Sequence, residues 1–244
     1  MHEGQMHFTN CSITLTYSPE HLPATGSLDH THFQNFIRKL RNYYRPLPIR
    51  YYMGGEYGEQ TGRPHYHAVL FGIEPHDKIP YSKSNGFQLW ESATLDNCWG
   101  LGKVLTGDLT FESAAYIARY IMKKRLGDEA HAWYEKVDVE TGEITKMTPE
   151  YNRMSTHPGL GKHWLDKYWG DVYPHGKIVV RSDESQAPRY YDKQLKKRNP
   201  QQLDLLKQQR EAEGLKKAHD NTPERRAVKE QVAQARLNQL KRGL

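Results

Sequence analysis

The stretch Gly62-Arg63-Pro64-His65-Tyr66-His67-Ala68-Val69-Leu70-Phe71 decides how this chain is read. It opens with two histidines separated by one bulky aromatic and continues as an apolar run of strand length. Successive side chains on a strand point to opposite faces, so His65 and His67 project from one face, about 6–7 Å apart along it. From that spacing two imidazoles can converge on a single metal ion. Further on, Tyr116 and Tyr120 stand four apart in Ala114-Ala115-Tyr116-Ile117-Ala118-Arg119-Tyr120-Ile121, a segment that reads as a helix. Residues i and i+4 share a helical face. Each pair alone is compatible with ordinary packing. Together, a metal pair on a strand and a tyrosine pair on a helix point to metal-assisted phosphodiester chemistry with tyrosine as the nucleophile.

Two imidazoles leave a metal site incomplete, so a carboxylate is expected beside them. Glu56 lies nine residues before His65, on the partner arm of an expected hairpin, and is the first candidate. Glu59, in the turn between, is the second and is expected to be solvated. A mixed histidine and carboxylate site with open positions suits Mn²⁺ and tolerates Mg²⁺, and three such ligands also accept zinc. An ordinary tyrosine hydroxyl ionises near pH 10, so forming its phenolate at neutral pH costs roughly 4 kcal/mol. Nearby positive charge lowers that cost. On the tyrosine helix, Tyr116, Arg119, Tyr120 and Lys123 form one stripe, while Ala114, Ile117, Ala118 and Ile121 form the other face, suited to packing on a sheet. Arg119, Lys123 and Lys124 are candidates to hold the attacked phosphate. A solvated helix end, favoured by the dipole alone, explains the lysines equally well.

Around these segments the pattern is mixed. Cys11 to Tyr17 alternates apolar and hydroxyl side chains, a strand with Ile13, Leu15 and Tyr17 on one face and Thr14 and Thr16 on the other. Phe33, Phe36, Ile37, Leu40 and Tyr44 fall at helical spacing, which predicts a helix from about Asp29 to Tyr44, stopping ahead of Pro46. Ile49 to Met53 reads as a strand that forms an antiparallel hairpin with the histidine strand. Residues 75–86 read as loop, Gln88 to Trp99 as a short helix, and Lys103 to Leu109 as a short edge strand. Thr110 is placed to cap the tyrosine helix. A hairpin turn is expected around Thr141-Gly142. Trp164, Tyr168 and Trp169 are expected to bury against the core. This order implies an antiparallel sheet with helices packed on it, an α+β layout.

The chain has 244 residues, 35 Lys and Arg, 29 Asp and Glu, 16 tyrosines and two cysteines. No run of 18 apolar residues predicts a membrane span, and the first residues do not read as a secretory leader. Cys11 and Cys98 make neither a disulfide framework nor a zinc spacing, which fits a reducing cytoplasm. Aromatic rings among cations suit single-stranded nucleic acid, through stacking and phosphate contact. The positive charge is uneven. Residues 189–244 hold 15 basic and 7 acidic residues, a net of +8, leaving −2 for residues 1–188. That tail is Gln-, Lys- and Arg-rich with few large apolar residues, so marginal helix or disorder is expected. Its charge suggests sequence-independent phosphate contacts.

With these residues assembled, the chain resembles rolling-circle replication initiators of the HUH endonuclease superfamily, in particular those of the Microviridae and their gokushovirus-like branch. Ile13-Thr14-Leu15-Thr16-Tyr17 is similar to the first motif of that family and Gly62-Arg63-Pro64-His65-Tyr66-His67 to the metal-binding second motif. Tyr116 to Lys124, with both tyrosines and the following lysines, is similar to the third. The resemblance implies a ferredoxin- or RRM-like central sheet of five antiparallel strands. It also implies nicking of single-stranded DNA at the phage origin, leaving a 5′-phosphotyrosine and a free 3′-OH for host polymerase in the bacterial cytoplasm. The second tyrosine would cleave the regenerated origin, and the strand would be rejoined into a circle. No P-loop is present in the sequence, so unwinding is expected from a host helicase. The expected organisation is an endonuclease core over 1–125, a family-specific extension packed on it over 126–188, and the basic tail over 189–244. Two other classes fit parts of the pattern: a non-catalytic ferredoxin-like nucleic-acid-binding module, and a zinc-type hydrolase using Glu56, His65 and His67 with water as nucleophile.

Overall fold

Alternation of apolar and hydroxyl residues from Cys11 onward places β1 (Asn10–Tyr17) at the centre of a seven-stranded antiparallel sheet. The computed structural model describes residues 1–84, 86–119, 130, 133–137 and 140–239. Tyr120, Lys123 and Lys124 therefore lie outside the described residues. In chain order the first elements are β1, α1 (His30–Tyr43), β2 (Arg50–Tyr57), β3 (Pro64–Phe71), β4 (Ile79–Ser84) and β5 (Phe87–Glu91). They are followed by α2 (Ala93–Trp99), β6 (Gly102–Asp108), α3 (Phe111–Arg119), β7 (Glu135–Val137), β8 (Ile144–Lys146) and β9 (Tyr151–Met154). The sheet order is β4-β5-β6-β1-β3-β2-β9, while β7 and β8 pair separately as a hairpin. The architecture is α+β, and the sheet is wider than the five strands that the resemblance implies, with β4 and β9 at its edges.

The two faces of the sheet have different chemistry because side chains alternate. Ile13, Leu15 and Tyr17 of β1, Met53 of β2, and Tyr66, Ala68 and Leu70 of β3 are buried in one cluster. Phe33, Phe36, Ile37 and Leu40 of α1 complete that cluster at helical spacing, with Leu95 and Trp99 of α2. Asp29 starts α1 by accepting a hydrogen bond from the Thr31 amide at 2.8 Å, one of the donors a helix start leaves unpaired. The opposite face carries Val69 and Phe71 of β3, which pack with Ile117 of α3.

Tyr66, the aromatic between the two histidines, is fully buried on the core side. Its hydroxyl donates to the Asp29 carbonyl at 2.7 Å, accepts from the Asp29 amide at 3.0 Å, and lies 3.1 Å from the Tyr17 hydroxyl. One phenol thus ties the histidine strand to the start of α1. Burial above all, with the neighbouring Tyr17, pushes its pKa far above the ordinary tyrosine value. Tyr66→Phe leaves a buried carbonyl and amide short of partners, and the expected loss of stability is about 1–3 kcal/mol. Urea unfolding monitored by circular dichroism checks this; a loss below about 0.3 kcal/mol would mean that water replaces the phenol.

Three local expectations are corrected. Phe87–Glu91 is a strand rather than the first half of a helix, because Ser92 intervenes as a cap, its Oγ accepting from the Leu95 amide at 3.2 Å. Residues 79–84, read as loop, form the strand that pairs with it. Gly102–Asp108 is an internal strand rather than an edge, hydrogen-bonded to β1 on one side and β5 on the other. Its first residue, Gly102, has φ +148°, and a Cβ there would sit 2.3 Å from the Thr16 carbonyl oxygen, so only glycine allows this close approach.

The chain divides into two compact units, Met1–Leu160 and the residues from Gly161 onward. In the second, α4 (Lys162–Lys167) and α5 (Trp169–Val172) are followed by a hairpin of β10 (Lys177–Val180) and β11 (Asp183–Gln186). Then come α6 (Arg189–Arg198), α7 (Pro200–Lys216) and α8 (Pro223–Gln239). Leu165, Val172, Tyr173, Tyr191, Leu195, Leu203 and Leu206 form a separate apolar cluster. Trp164 and Trp169 pack in that cluster, not in the core beneath the sheet where the sequence placed them. The first part of the basic tail is regular helix, because Tyr191 and Leu195 on α6 and Leu203 and Leu206 on α7 give those two helices an apolar side to bury. No helix among the described residues is long and apolar enough to cross a membrane.

Candidate metal centre

β3 presents His65 and His67 on the face opposite Tyr66, and register decides what stands beside them. Across from His65 are Glu56 on β2 and Thr16 on β1; across from His67 are Gly54 and Thr14. Directly opposed residues on antiparallel strands project from the same face. Glu56 and both imidazoles therefore meet without a loop to position them, and Gly54 leaves the space next to His67 free of a side chain.

Glu56 Oε1 lies 2.7 Å from His65 Nε2 and 3.4 Å from His67 Nε2. One ligand atom from each of the three residues falls within 4.8 Å of the others. The two rings stand edge to face, with centroids 4.9 Å apart. Glu56 and His67 are buried, while 17% of the His65 side chain is exposed, so the cluster opens toward solvent on that side. Glu59 stays exposed in the turn, and the structure brings Glu56 rather than Glu59 to the histidines. Burial by itself would raise the Glu56 pKa, but hydrogen bonds to His65 and His67 and their charge outweigh it and hold the carboxyl down at about 2. Glu56 is thus a carboxylate throughout the neutral range. Because its folded value is depressed, the stability it contributes is present above its ordinary value of 4.5 and is lost as pH falls through about 2.

The remaining nitrogen of each imidazole is also held. His65 Nδ1 lies 3.2 Å from the Arg63 carbonyl, which can only accept, so Nδ1 carries the proton. His67 Nδ1 lies 2.9 Å from the Thr14 hydroxyl. This leaves both Nε2 atoms aimed at the Glu56 carboxylate, the arrangement in which second partners orient metal-binding imidazoles. Two imidazoles and one carboxylate, with polar groups fixing their rings, fit a divalent ion such as Mn²⁺, Mg²⁺ or Zn²⁺. Thr14 was legible only as a hydroxyl on the polar face of β1; its role depends on the β1–β3 register. Thr14→Val is expected to lower Mn²⁺ affinity by about 10–100-fold, measured by isothermal titration calorimetry. An unchanged affinity would show that Thr14 does not orient His67.

α3 lies over this face. It starts with a reciprocal cap: the Ser113 amide donates to Thr110 Oγ1 at 3.0 Å, and the Thr110 amide donates to Ser113 Oγ at 2.9 Å. Ser113 and Ile117, one turn apart, are the buried residues of α3, and Ala118 is exposed rather than packed on the sheet. Anchored through Ile117, the helix puts the Tyr116 ring edge-on to the His67 ring, with centroids 5.7 Å apart. The Arg119 guanidinium lies 5.9 Å from the Tyr116 ring centre. The structure therefore gathers Glu56, His65, His67 and Tyr116, with Arg119 beside the tyrosine.

An antiparallel sheet that carries a two-histidine, one-carboxylate cluster under a tyrosine-bearing helix is the frame of this molecule. Residues 10–125 match the model of a family of replication-associated proteins, the ORF2 family, and the part of the chain that bears the site belongs to that family. The chain is 33% identical over 213 residues to replication-associated protein VP4 of Bdellovibrio phage phiMH2K, covering 82% of this chain and 62% of that protein. It is 30% identical over 216 residues to replication-associated protein ORF2 of Spiroplasma virus 4, covering 83% and 63%. It is 27% identical over 203 residues to replication-associated protein ORF4 of Chlamydia phage 1, covering 80% and 48%. The chain thus spans between about half and two thirds of the length of these relatives. No solved structure matches it.

Proposed function

We propose that this chain initiates replication of a small phage genome by cutting one strand of single-stranded DNA at the origin and later rejoining it. The observation that carries this reading is the edge-on approach of Tyr116 to His67, within reach of the Glu56, His65 and His67 cluster. In this reading the Tyr116 oxygen forms a bond to the scissile phosphorus, and the bond to the 3′ oxygen breaks. The 3′ oxygen leaves as a free hydroxyl, available to host polymerase behind a host helicase. One phosphoester replaces another, so the energy of the cut bond is kept and the reverse attack by a 3′-hydroxyl rejoins the strand. Glu56, His65 and His67 would hold the divalent ion, manganese or magnesium. When bound, that ion polarises the non-bridging oxygens and orients the ester for in-line attack. Arg119 adds positive charge beside the tyrosine, and Lys123 and Lys124 are proposed to contact the phosphate. Tyr120 is proposed as the second nucleophile.

Incubating the protein and Mn²⁺ with a 5′-labelled and a 3′-labelled origin oligonucleotide tests this. The expected product is a protein–DNA adduct stable in denaturing gel electrophoresis and formed only by the fragment 3′ to the cut. Cleavage with no adduct would instead identify water as the attacking group, and binding with no cleavage would leave a nucleic-acid-binding module.

A further inference from the structure

The charge of the second compact unit is not distributed as its ion pairs would suggest. From Gly161 to Leu244 the sequence holds 19 basic and 11 acidic residues, a net of +8, whereas residues 1–160 carry −2. Many of these cations are paired among the described residues: Lys162 and Arg198 with Asp166, Lys177 with Glu184, Lys207 with Asp204, Arg210 with Asp192, and Arg225 and Lys229 with Asp220. α6 is the exception. Its sequence Arg189-Tyr-Tyr-Asp-Lys-Gln-Leu-Lys-Lys-Arg198 has one acid, Asp192, and Arg210 of α7 takes that carboxylate at 2.6 Å. Tyr191 and Leu195 turn inward and are buried. Arg189, Lys193, Lys196 and Lys197 are exposed, and none makes an ion pair among the described residues.

These four fall at i, i+4, i+7 and i+8, one side of a helix. Successive fours rise about 6 Å along the axis, so flexible cationic side chains form a continuous row. We infer that this face of α6 is a second nucleic-acid-binding site, which holds the phosphodiester backbone of single-stranded DNA without reading its sequence and is separate from the metal centre. The row lacks the pocket or neighbouring acceptor set that would select one base, so contact is with phosphates. An anionic membrane surface is the other polyanion to consider. Surface-lying helices bury an apolar face in the lipid, and the apolar side of α6 is already spent on Tyr191 and Leu195 in the protein interior. The inference extends the proposed replication role but does not depend on strand cutting.

The test is binding of the full chain to a labelled oligo-dT 30-mer, which has no origin sequence, in EDTA, by fluorescence anisotropy across a salt series. Loss of about four phosphate contacts lowers the slope of log affinity against log salt by about 3 for a single strand. The variant R189Q/K193Q/K196Q/K197Q is therefore expected to show that drop, with affinity in 0.1 M salt at least tenfold weaker and an unchanged circular dichroism spectrum. A second variant, K216Q/K217Q/R226Q/R236Q, removes the same charge elsewhere in the unit and is expected to keep most of the slope. Equal losses in both variants would overturn the inference in favour of diffuse charge. An unchanged slope in the first would overturn it outright. So would loss of binding to phosphatidylserine vesicles with oligo-dT binding intact, which would make the row a membrane contact. Failure of cleavage with this salt response intact would count against the proposed chemistry alone.

Discussion

With His65 or His67 replaced by alanine, cleavage of single-stranded origin DNA falls below detection while the far-ultraviolet circular dichroism spectrum stays that of the wild type. The expectation rests on geometry: both Nε2 atoms face Glu56 Oε1, at 2.7 and 3.4 Å, so losing either imidazole removes one of three converging ligands. Loss of a partner that only orients a ligand costs about 10–100-fold in metal affinity or activity, and loss of the ligand itself should exceed that. The side chains lie on the face opposite the main core, so truncating them leaves the α1 packing untouched. EDTA should stop the wild-type reaction, and Mn²⁺ in excess should restore it. Undiminished cleavage in chelator would remove the metal from the chemistry. Glu56→Gln keeps the shape but removes the charge, and a loss as large as that of His65→Ala is expected. Full activity in Glu56→Gln would mean that another carboxylate completes the site.

The second large effect concerns the tyrosines. Tyr116→Phe and Tyr120→Phe are each expected to retain some covalent DNA adduct on a short oligonucleotide, and the double variant none. A single nucleophile suffices to cut once. A second is needed only if cutting must recur while the first is still esterified, so both single variants should fail to release unit-length circles. The Tyr116 ring beside His67 gives the first nucleophile its place, and the spacing of four residues assigns Tyr120 to the same side of a helix. Peptide mapping of the trapped adduct by mass spectrometry decides the matter. An adduct confined to one tyrosine in the wild type, and absent from the other in every variant, would rule out alternation.

The elements nearest the site were legible in the sequence because their signals are local and periodic. Period-two alternation marked β1 and assigned Thr14 and Thr16 to the polar face, and helical spacing marked α1 to within about a residue of its observed ends. The His-x-His pattern made a shared face inevitable once the segment was a strand. Around residues 75–109 the reading was poorer for a physical reason. β4 and β5 are short strands whose identity comes from pairing with neighbours, and β6 is an internal strand only because β5 covers its second side. Such pairings are made across sequence gaps that a local pattern does not register. The two tryptophans that pack in the second unit illustrate the same limit: their apolar character was evident, but not which of two cores would take them.

By itself the sequence determined the inventory: an α+β chain with two histidines on one face of a strand, two tyrosines at helical spacing, a carboxylate in reach and a basic second half. The tertiary structure decided which members of that inventory meet. The choice of Glu56 over Glu59 is a matter of register, since Glu56 lies opposite His65 on β2 whereas Glu59 has left the ladder for the turn. The partnership of Thr14 with His67 spans 53 residues and exists only because β1 and β3 are neighbours. The approach of Tyr116 depends on Ile117 finding Val69 and Phe71 on the outer face of β3. Side-chain chemistry is written residue by residue, but a site is made of distances. Those distances are set by strand register and by which face of the sheet each helix buries.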